Sequence, residues 1–209
     1  MKKGNDSQMG KQLIIIGASG HGKVAADIAS KSGYDRIVFL DGDESKKECG
    51  KYPVVGKENL VSQLDGDVFV AIGNPEIRKR MMEGIEDDRI ATLIHPDAVI
   101  AEDVRIGTGT VVMAGVVINP GTSVGKGCIV NTCSSVDHDC RISDYVHVSV
   151  GSHLAGTVNV GEKTWIGAGA VISNNIDIAG SCMIGAGAIV VQNIPESGTY
   201  VGIPARKIK

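Results

Sequence analysis

The sequence predicts two folded units in series, a small parallel α/β domain followed by a parallel β-helix, so the chain is α/β plus all-β. Three observations predict this. Strand and helix patterns alternate through residues 11–96, an aliphatic side chain recurs at every sixth position from Ile100 to Val190, and charge thins where one pattern gives way to the other. Residues 1–97 carry 30 Asp, Glu, Lys or Arg side chains and residues 98–190 carry 11, as a solvated α/β layer leading into a densely packed prism requires. The boundary is placed after Pro96, giving a tail over 1–10, an α/β domain over 11–96, and a β-helix with a C-terminal tail over 97–209.

Residues 1–10 are polar and carry no periodicity. Residues 12–16 are a buried strand that runs into Gly17-Ala18-Ser19-Gly20-His21-Gly22-Lys23, and the apolar spacing Val24, Ala25, Ile28, Ala29 then predicts a helix. A second strand over 37–40 ends at Asp41, and a third over 68–72 ends at Gly73-Asn74. A charged helix is predicted from Pro75 to about Gly84, and a last strand over 90–94. This β-α-β alternation implies a small Rossmann-like parallel sheet.

The glycine-rich turn stands where a phosphate would meet a helix N-terminus. Two familiar motifs fail on it. Val24 occupies the place where a P-loop needs a magnesium-binding hydroxyl. The glycine order is G-x-x-G-x-G rather than G-x-G-x-x-G, and about 85 residues cannot supply two mononucleotide halves. Asp41, some twenty residues on at a strand end, can hold a ribose hydroxyl. A nucleotide-like ligand and a plain tight turn are the two readings the turn allows.

From Ile100, steps of six reach sixteen positions, all Ile, Val or Leu. The positions two residues earlier form a second series, Ala98 to Ala188, of which fifteen are Ala, Val, Thr, Ser or Cys. Six fits neither the helical period of 3.6 nor the strand period of 2. It fits short strands joined by tight corners, three to a coil of 18 residues, with coils stacked about 4.8 Å apart into a prism roughly 25 Å tall. Known coils of this kind are left-handed. The flat apolar outer faces suit subunit contacts, and a trimer is expected.

Composition excludes several classes. The 28 glycines do not recur every third residue, so collagen is out, and the aliphatic content with a net charge of −3 excludes disorder and a basic nucleic-acid face. No segment nears the roughly 18 apolar residues of a membrane span, and the run at 13–16 is too short for a secretion signal. Five cysteines without framework spacing suggest the cytoplasm.

The polar cluster Val136-Asp137-His138-Asp139-Cys140 stands out in the prism. The hexad register puts His138 and Asp139 on a corner, where side chains leave the coil and can reach a neighbouring subunit. A histidine flanked by carboxylates gains basicity and a fixed tautomer, which a general base needs; a solvated corner histidine is the alternative. His147, His153 and Trp165 point outward from flat faces, and His153 and Trp165 read as subunit contacts. His95 reads as a linker residue. Cys128, Cys140 and Cys182 fall at inward small-residue positions and read as core fillers. No Cys/His set has zinc spacing, so no metal is expected.

Gly17-Ala18-Ser19-Gly20-His21-Gly22, Leu40-Asp41, Ala71-Ile72-Gly73-Asn74, Leu93-Ile94-His95-Pro96, the hexads and Gly202-Ile203-Pro204-Ala205, taken in order over roughly residues 12–208, resemble the sialic-acid O-acetyltransferase and bacillosamine N-acetyltransferase family. The resemblance implies acetyl-CoA as donor and a homotrimer with active sites between subunits. It implies His138 as catalytic base and Asp139 as the acid that raises its basicity, in a place commonly held by Glu, with Asn131-Thr132 upstream in the same motif. It implies acetyl-CoA contacts at His147, Ala168 and Ala186. It implies a nucleotide-sugar cleft at Ser19, Gly20, His21, Asp41, Gly42 and Gly73, where Gly42 departs from an acidic residue of some relatives. The implied reaction is N-acetylation of a nucleotide-linked 4-amino-4,6-dideoxy sugar, with uridine diphosphate as the expected carrier. O-acetylation of sialic acid and a non-catalytic β-helix are the rivals.

Overall fold

The computed structural model describes residues 10–209; residues 1–9, most of the polar tail, lie outside the described residues. The first unit is a five-stranded sheet of order β3-β4-β2-β1-β5, built from β1 (Gln12–Ile16), β2 (Arg36–Leu40), β3 (Glu48–Cys49), β4 (Tyr52–Gly56) and β5 (Asp67–Val70). Strands β1, β2, β4 and β5 run parallel, and β3 pairs antiparallel with β4. Leu13 to Ile16 are buried because a central parallel strand is covered on both faces. The β3–β4 hairpin escapes the periodicity reading: β4 alternates half-buried and exposed residues and contains Pro53.

Helix α1 (Gly20–Lys31) follows β1, and α2 (Pro75–Met82) follows β5. The β1–α1 turn is tight enough that a Cβ on Gly22 would lie 2.2 Å from the Gly17 carbonyl oxygen. Helix α2 starts cleanly because Asn74 caps it, its side chain accepting from Ile77 N–H at 3.0 Å, with Pro75 at the first helical position.

The expected strand over 90–94 divides between the two units. Ile90 makes only an isolated bridge to Val68, whereas β6 (Leu93–Ile94) pairs with Val111–Val112 and opens one sheet of the β-helix. Two-residue strands then succeed one another at every hexad, each pairing in parallel with the strand 18 residues on, as Ile129 and Val130 do with His147 and Val148. They form three faces. The junction face has eight strands beginning with β6, the second face has six beginning at Val99–Ile100, and the third has five beginning at Arg105–Ile106. Both inward series fill the axis, with Cys128, Cys140 and Cys182 in the core among Val, Ile and Ala.

The corners explain how the register is kept. The third residue after each rung position has positive φ at all fourteen corners from Gly109 to Gly187, and seven of these are not glycine: Cys133, Asp139, Tyr145, Thr157, Lys163, Asn175 and Ser181. Left-handed backbone costs such residues about 1–2 kcal/mol. In exchange it aims each corner N–H at an oxygen of the preceding coil, a carbonyl at all but Gly109 and Gly121, as Asp139 N does at Pro120 O (3.0 Å) and Thr157 N at His138 O (2.8 Å). Repeated hydrogen bonding therefore holds the corners one above another.

The two units share a core. Leu93, Val111, Met113 and Ile129 of the junction face pack in one buried cluster with Leu13, Ile15, Ala25 and Phe69. Tyr145 joins a second cluster with Ile14, Ile16 and Met82. The α/β unit thus sits against the first coils of the junction face.

Candidate active site

Two polar clusters emerge, on opposite sides of the prism. The first is the corner between the second and third faces. Asn119 Nδ2 donates to Asp137 Oδ1 at 2.7 Å, and the His138 N–H donates to the same oxygen at 2.8 Å. His138 Nδ1 donates to Asp139 Oδ2 at 2.8 Å. That bond leaves Nε2 as the proton acceptor. The hydrogen bond to Asp139, followed by the charge of Asp137, raises the His138 pKa above 6.5. Both side chains of the pair are open, with relative exposures of 56 % and 66 %, so the ring can meet a second molecule.

The second cluster lies where the α/β unit meets the junction face. Its upper rim is the carboxyl edge of the parallel sheet, where β5 leaves β1 on the side opposite β2, the place where such sheets bind ligands. Ser19, Gly20 and His21 stand at the start of α1, whose first i→i−4 bond is from Lys23 N to Ser19 O, so the preceding N–H groups face outward from the helix end. Asp41 joins β2 to this turn: Oδ2 accepts from Ala18 N (2.7 Å) and Lys46 Nζ (3.0 Å), and Oδ1 accepts from Asp43 N (2.9 Å). Burial alone would raise the Asp41 pKa; the two amides and the ammonium outweigh it and hold the carboxyl below 3.8. Gly42 follows, exposed, beside a cavity of about 260 Å³ bordered by Asp41, Lys46 and Lys57.

Below this edge His147 stacks on Trp165, with ring centroids 4.4 Å apart. Trp165 Nε1 donates to Ser149 Oγ at 2.8 Å, and Asn131 Nδ2 donates to His147 Nε2 at 3.2 Å. Gly73 faces the indole, and Gly73, Asn74, Pro75, Trp165 and Met183 line a cavity of about 390 Å³. His21 Nε2 and His147 Nδ1 are buried without a hydrogen-bonding partner among the described residues. Buried polar atoms in that condition mark places a ligand can satisfy.

Arg78 holds this junction together. It is 1 % exposed, and its guanidinium donates to four carbonyls: Ile72 O (2.7 Å) and Gly73 O (2.8 Å) in the loop after β5, and Gly127 O (2.7 Å) and Tyr145 O (2.9 Å) on two successive corners of the prism. Burial, and then the charge of Arg78, push the His21 pKa down to about 4 and the His147 pKa down to about 3. Both rings are neutral at pH 7.

Stability should follow these two rings. Unfolded imidazoles take up a proton as pH falls through 6.5, and the folded ones do not until about 4 and about 3. Their contribution is complete above pH 6.5 and declines as pH falls from there toward 4. Thermal melts between pH 7 and 4.5 should show a smaller drop in Tm for the His21→Gln/His147→Gln double variant than for the parent. Parallel slopes would contradict this account.

The residues named from sequence thus divide. His21, Gly73 and His147 come together at the junction, with Ser19, Gly20, Asp41 and Gly42 along the same sheet edge. Ala168 and Ala186 are exposed and stacked one coil apart, Gly187 N donating to Ala168 O, on the corner between the junction and second faces. His138 and Asp139 stand on the corner facing away from the junction. Trp165 packs on His147 within its own chain. One reading is corrected. His95 is 5 % exposed rather than a loose linker residue, since Nδ1 accepts from Asp97 N and Nε2 from Lys31 Nζ. His153, on the second face, pairs with Ser135 Oγ at 2.9 Å. Arg78 was not found from sequence, because it sits in a helix whose charges look solvated.

Known proteins share this fold. Residues 12–85 match the PglD N-terminal domain. The chain is 37 % identical over 112 residues to UDP-N-acetylbacillosamine N-acetyltransferase of Bacillus subtilis strain 168, a match spanning 52 % of that protein and 50 % of this chain. The acetyltransferase domain of PglB from Neisseria gonorrhoeae FA1090, solved with acetyl coenzyme A, superposes with a TM-score of 0.90 and 39 % identity, covering 96 % of this chain and all of that one. PerB from Caulobacter crescentus, solved with CoA and GDP-perosamine, gives a TM-score of 0.88 and 35 % identity over 95 % of this chain and 97 % of that one. Fold and likeness together define an acyltransferase built on a left-handed parallel β-helix. The chain belongs to the PglD-like family of sugar N-acetyltransferases.

Proposed function

We propose that this protein transfers the acetyl group of acetyl-CoA to the amine of a nucleotide-linked 4-amino-4,6-dideoxy sugar, with uridine diphosphate as carrier, and that His138 is the general base. The observation that carries this reading is the His138–Asp139 pair, whose 2.8 Å bond fixes the tautomer and leaves a basic Nε2 on an open corner. Nucleotide sugar binds along the carboxyl edge at Ser19, Gly20, His21, Asp41, Gly42 and Gly73, with the diphosphate at the α1 N-terminus. The sugar amine attacks the thioester carbonyl as Nε2 accepts a proton from nitrogen; the tetrahedral adduct collapses, the C–S bond breaks, and CoA leaves with a proton on sulfur. Asp139 stabilises the imidazolium formed on the way.

His138 cannot serve the junction of its own chain, since the prism stands between them. A homotrimer resolves this by presenting the His138 corner of one protomer to the cleft of the next, with acetyl-CoA lying between the prisms against His147, Ala168 and Ala186. The second face supports such packing, because Val99, Val117 and Val171 are exposed along it.

Substrate class is tested by incubating the protein with acetyl-CoA and, in turn, a UDP-linked 4-amino-4,6-dideoxy sugar, GDP-perosamine and free sialic acid, following thiol release and product mass. Amide formation on the UDP sugar is the expected result. Acetylation of GDP-perosamine alone would replace the carrier, turnover of sialic acid alone would replace the reaction, and no thiol release would leave a binding protein.

A further inference from the structure

Resting on the reading of His138 as base, we infer that Gly156 is a positioning residue, whose missing side chain leaves the space in which the catalytic imidazole lies. Gly156 is one coil above His138 at the same corner position. A Cβ built on it would lie 2.5 Å from His138 Nε2, 2.6 Å from Cε1 and 3.1 Å from Cδ2. The clash centres on the nitrogen that receives the proton. The opposite edge of the ring is held by Asp139, whose own place is fixed by the N–H bond to Pro120 O. Gly121, one coil below Asp139, repeats the pattern, since a Cβ there would lie 2.4 Å from Asp139 Oδ1. Both members of the pair therefore lie against glycines.

Gly156 has no positive φ, so its backbone does not demand glycine. Its neighbours in the column, Pro120 below His138 and Asn174 above Gly156, show that larger residues fit this corner. The requirement comes from the imidazole alone. Because the atoms met are the tip of an open, flexible side chain, alanine moves the ring rather than the coil. The fold should tolerate the change, and catalysis should not.

Gly156→Ala is compared with the parent, His138→Asn and the double variant by steady-state thiol release with acetyl-CoA and whichever amino sugar of the panel above is turned over. Gly156→Ala should lower kcat about 10- to 100-fold, the usual consequence of misplacing a reacting group by about 1 Å, with KM for acetyl-CoA within about twofold. In the His138→Asn background the same change should cost nothing further. A kcat within about twofold of the parent, or an equal loss in both backgrounds, overturns the inference. Full activity of His138→Asn instead overturns the base assignment itself. NMR titration of the His138 ring reads its position without substrate. The charged groups facing it are Asp137 and Asp139 of its own corner, while Pro120 and Gly121 below and Gly156 and Thr157 above are uncharged. The His138 pKa, above 6.5 in the parent, should fall toward 6.5 in Gly156→Ala as the ring leaves Asp139. An unchanged pKa also overturns the inference.

Discussion

Replacing His138 by alanine is expected to lower acetyl transfer about 10²- to 10⁴-fold while leaving the fold and the assembly intact. The prediction is large because neither imidazole of the junction can take over. His147 and His21 are on the far side of the prism with pKa values held near 3 and 4, so they are poor acceptors of a proton from an amine. Stability should scarcely change, since the ring is open and its one side-chain hydrogen bond is to an equally open carboxylate. Steady-state rates with the amino sugar, together with melting temperature, separate the two effects. Wild-type turnover in His138→Ala would remove the general base from the mechanism.

The second large effect is on stability. Arg78→Met deletes a buried cation and leaves the carbonyls of Ile72, Gly73, Gly127 and Tyr145 without their donor in a closed junction. Each buried acceptor so abandoned costs about 1–3 kcal/mol before relaxation. Water entry and local movement recover part of this, and a net loss of about 2–4 kcal/mol is expected in urea denaturation, the cost of one or two acceptors left unsatisfied. Lysine should not rescue it, because a single ammonium cannot span four carbonyls arranged around a planar fork. The loop at Gly73 should loosen as well, so KM for the nucleotide sugar should rise. A loss under about 1 kcal/mol would show that the junction is held by its apolar contacts alone.

Much of the fold could be read directly because its causes are local. Every two-residue strand from Val99 to Val190 falls in the hexad register, since a rung buries its aliphatic residue whatever lies beyond the next coil. The turn after β1 and the strand end at Asp41 were legible for the same reason: each is a short stretch whose residue types answer to the backbone or ligand beside it. Strand β4 was not, because an alternating, proline-containing segment looks like loop until β2 and β3 supply its partners. Nor was the transfer of Leu93–Ile94 to the prism, where two apolar residues fit either sheet and pairing with Val111–Val112 decides.

By itself, the order of residues determined the prism, its coil length, the corner on which His138 and Asp139 sit, and the glycine-rich start of α1. All of these follow from spacing along one chain. Only the tertiary structure decided that Arg78 joins the loop after β5 to two corners, that Trp165 lies on His147 of the same chain, that Gly156 lies against the His138 ring, and that this ring faces away from the cleft it is proposed to serve. The relations that cross between coils or domains join residues 18 to 67 positions apart. They depend on how coils stack and how one domain seats on another, and no local periodicity encodes that.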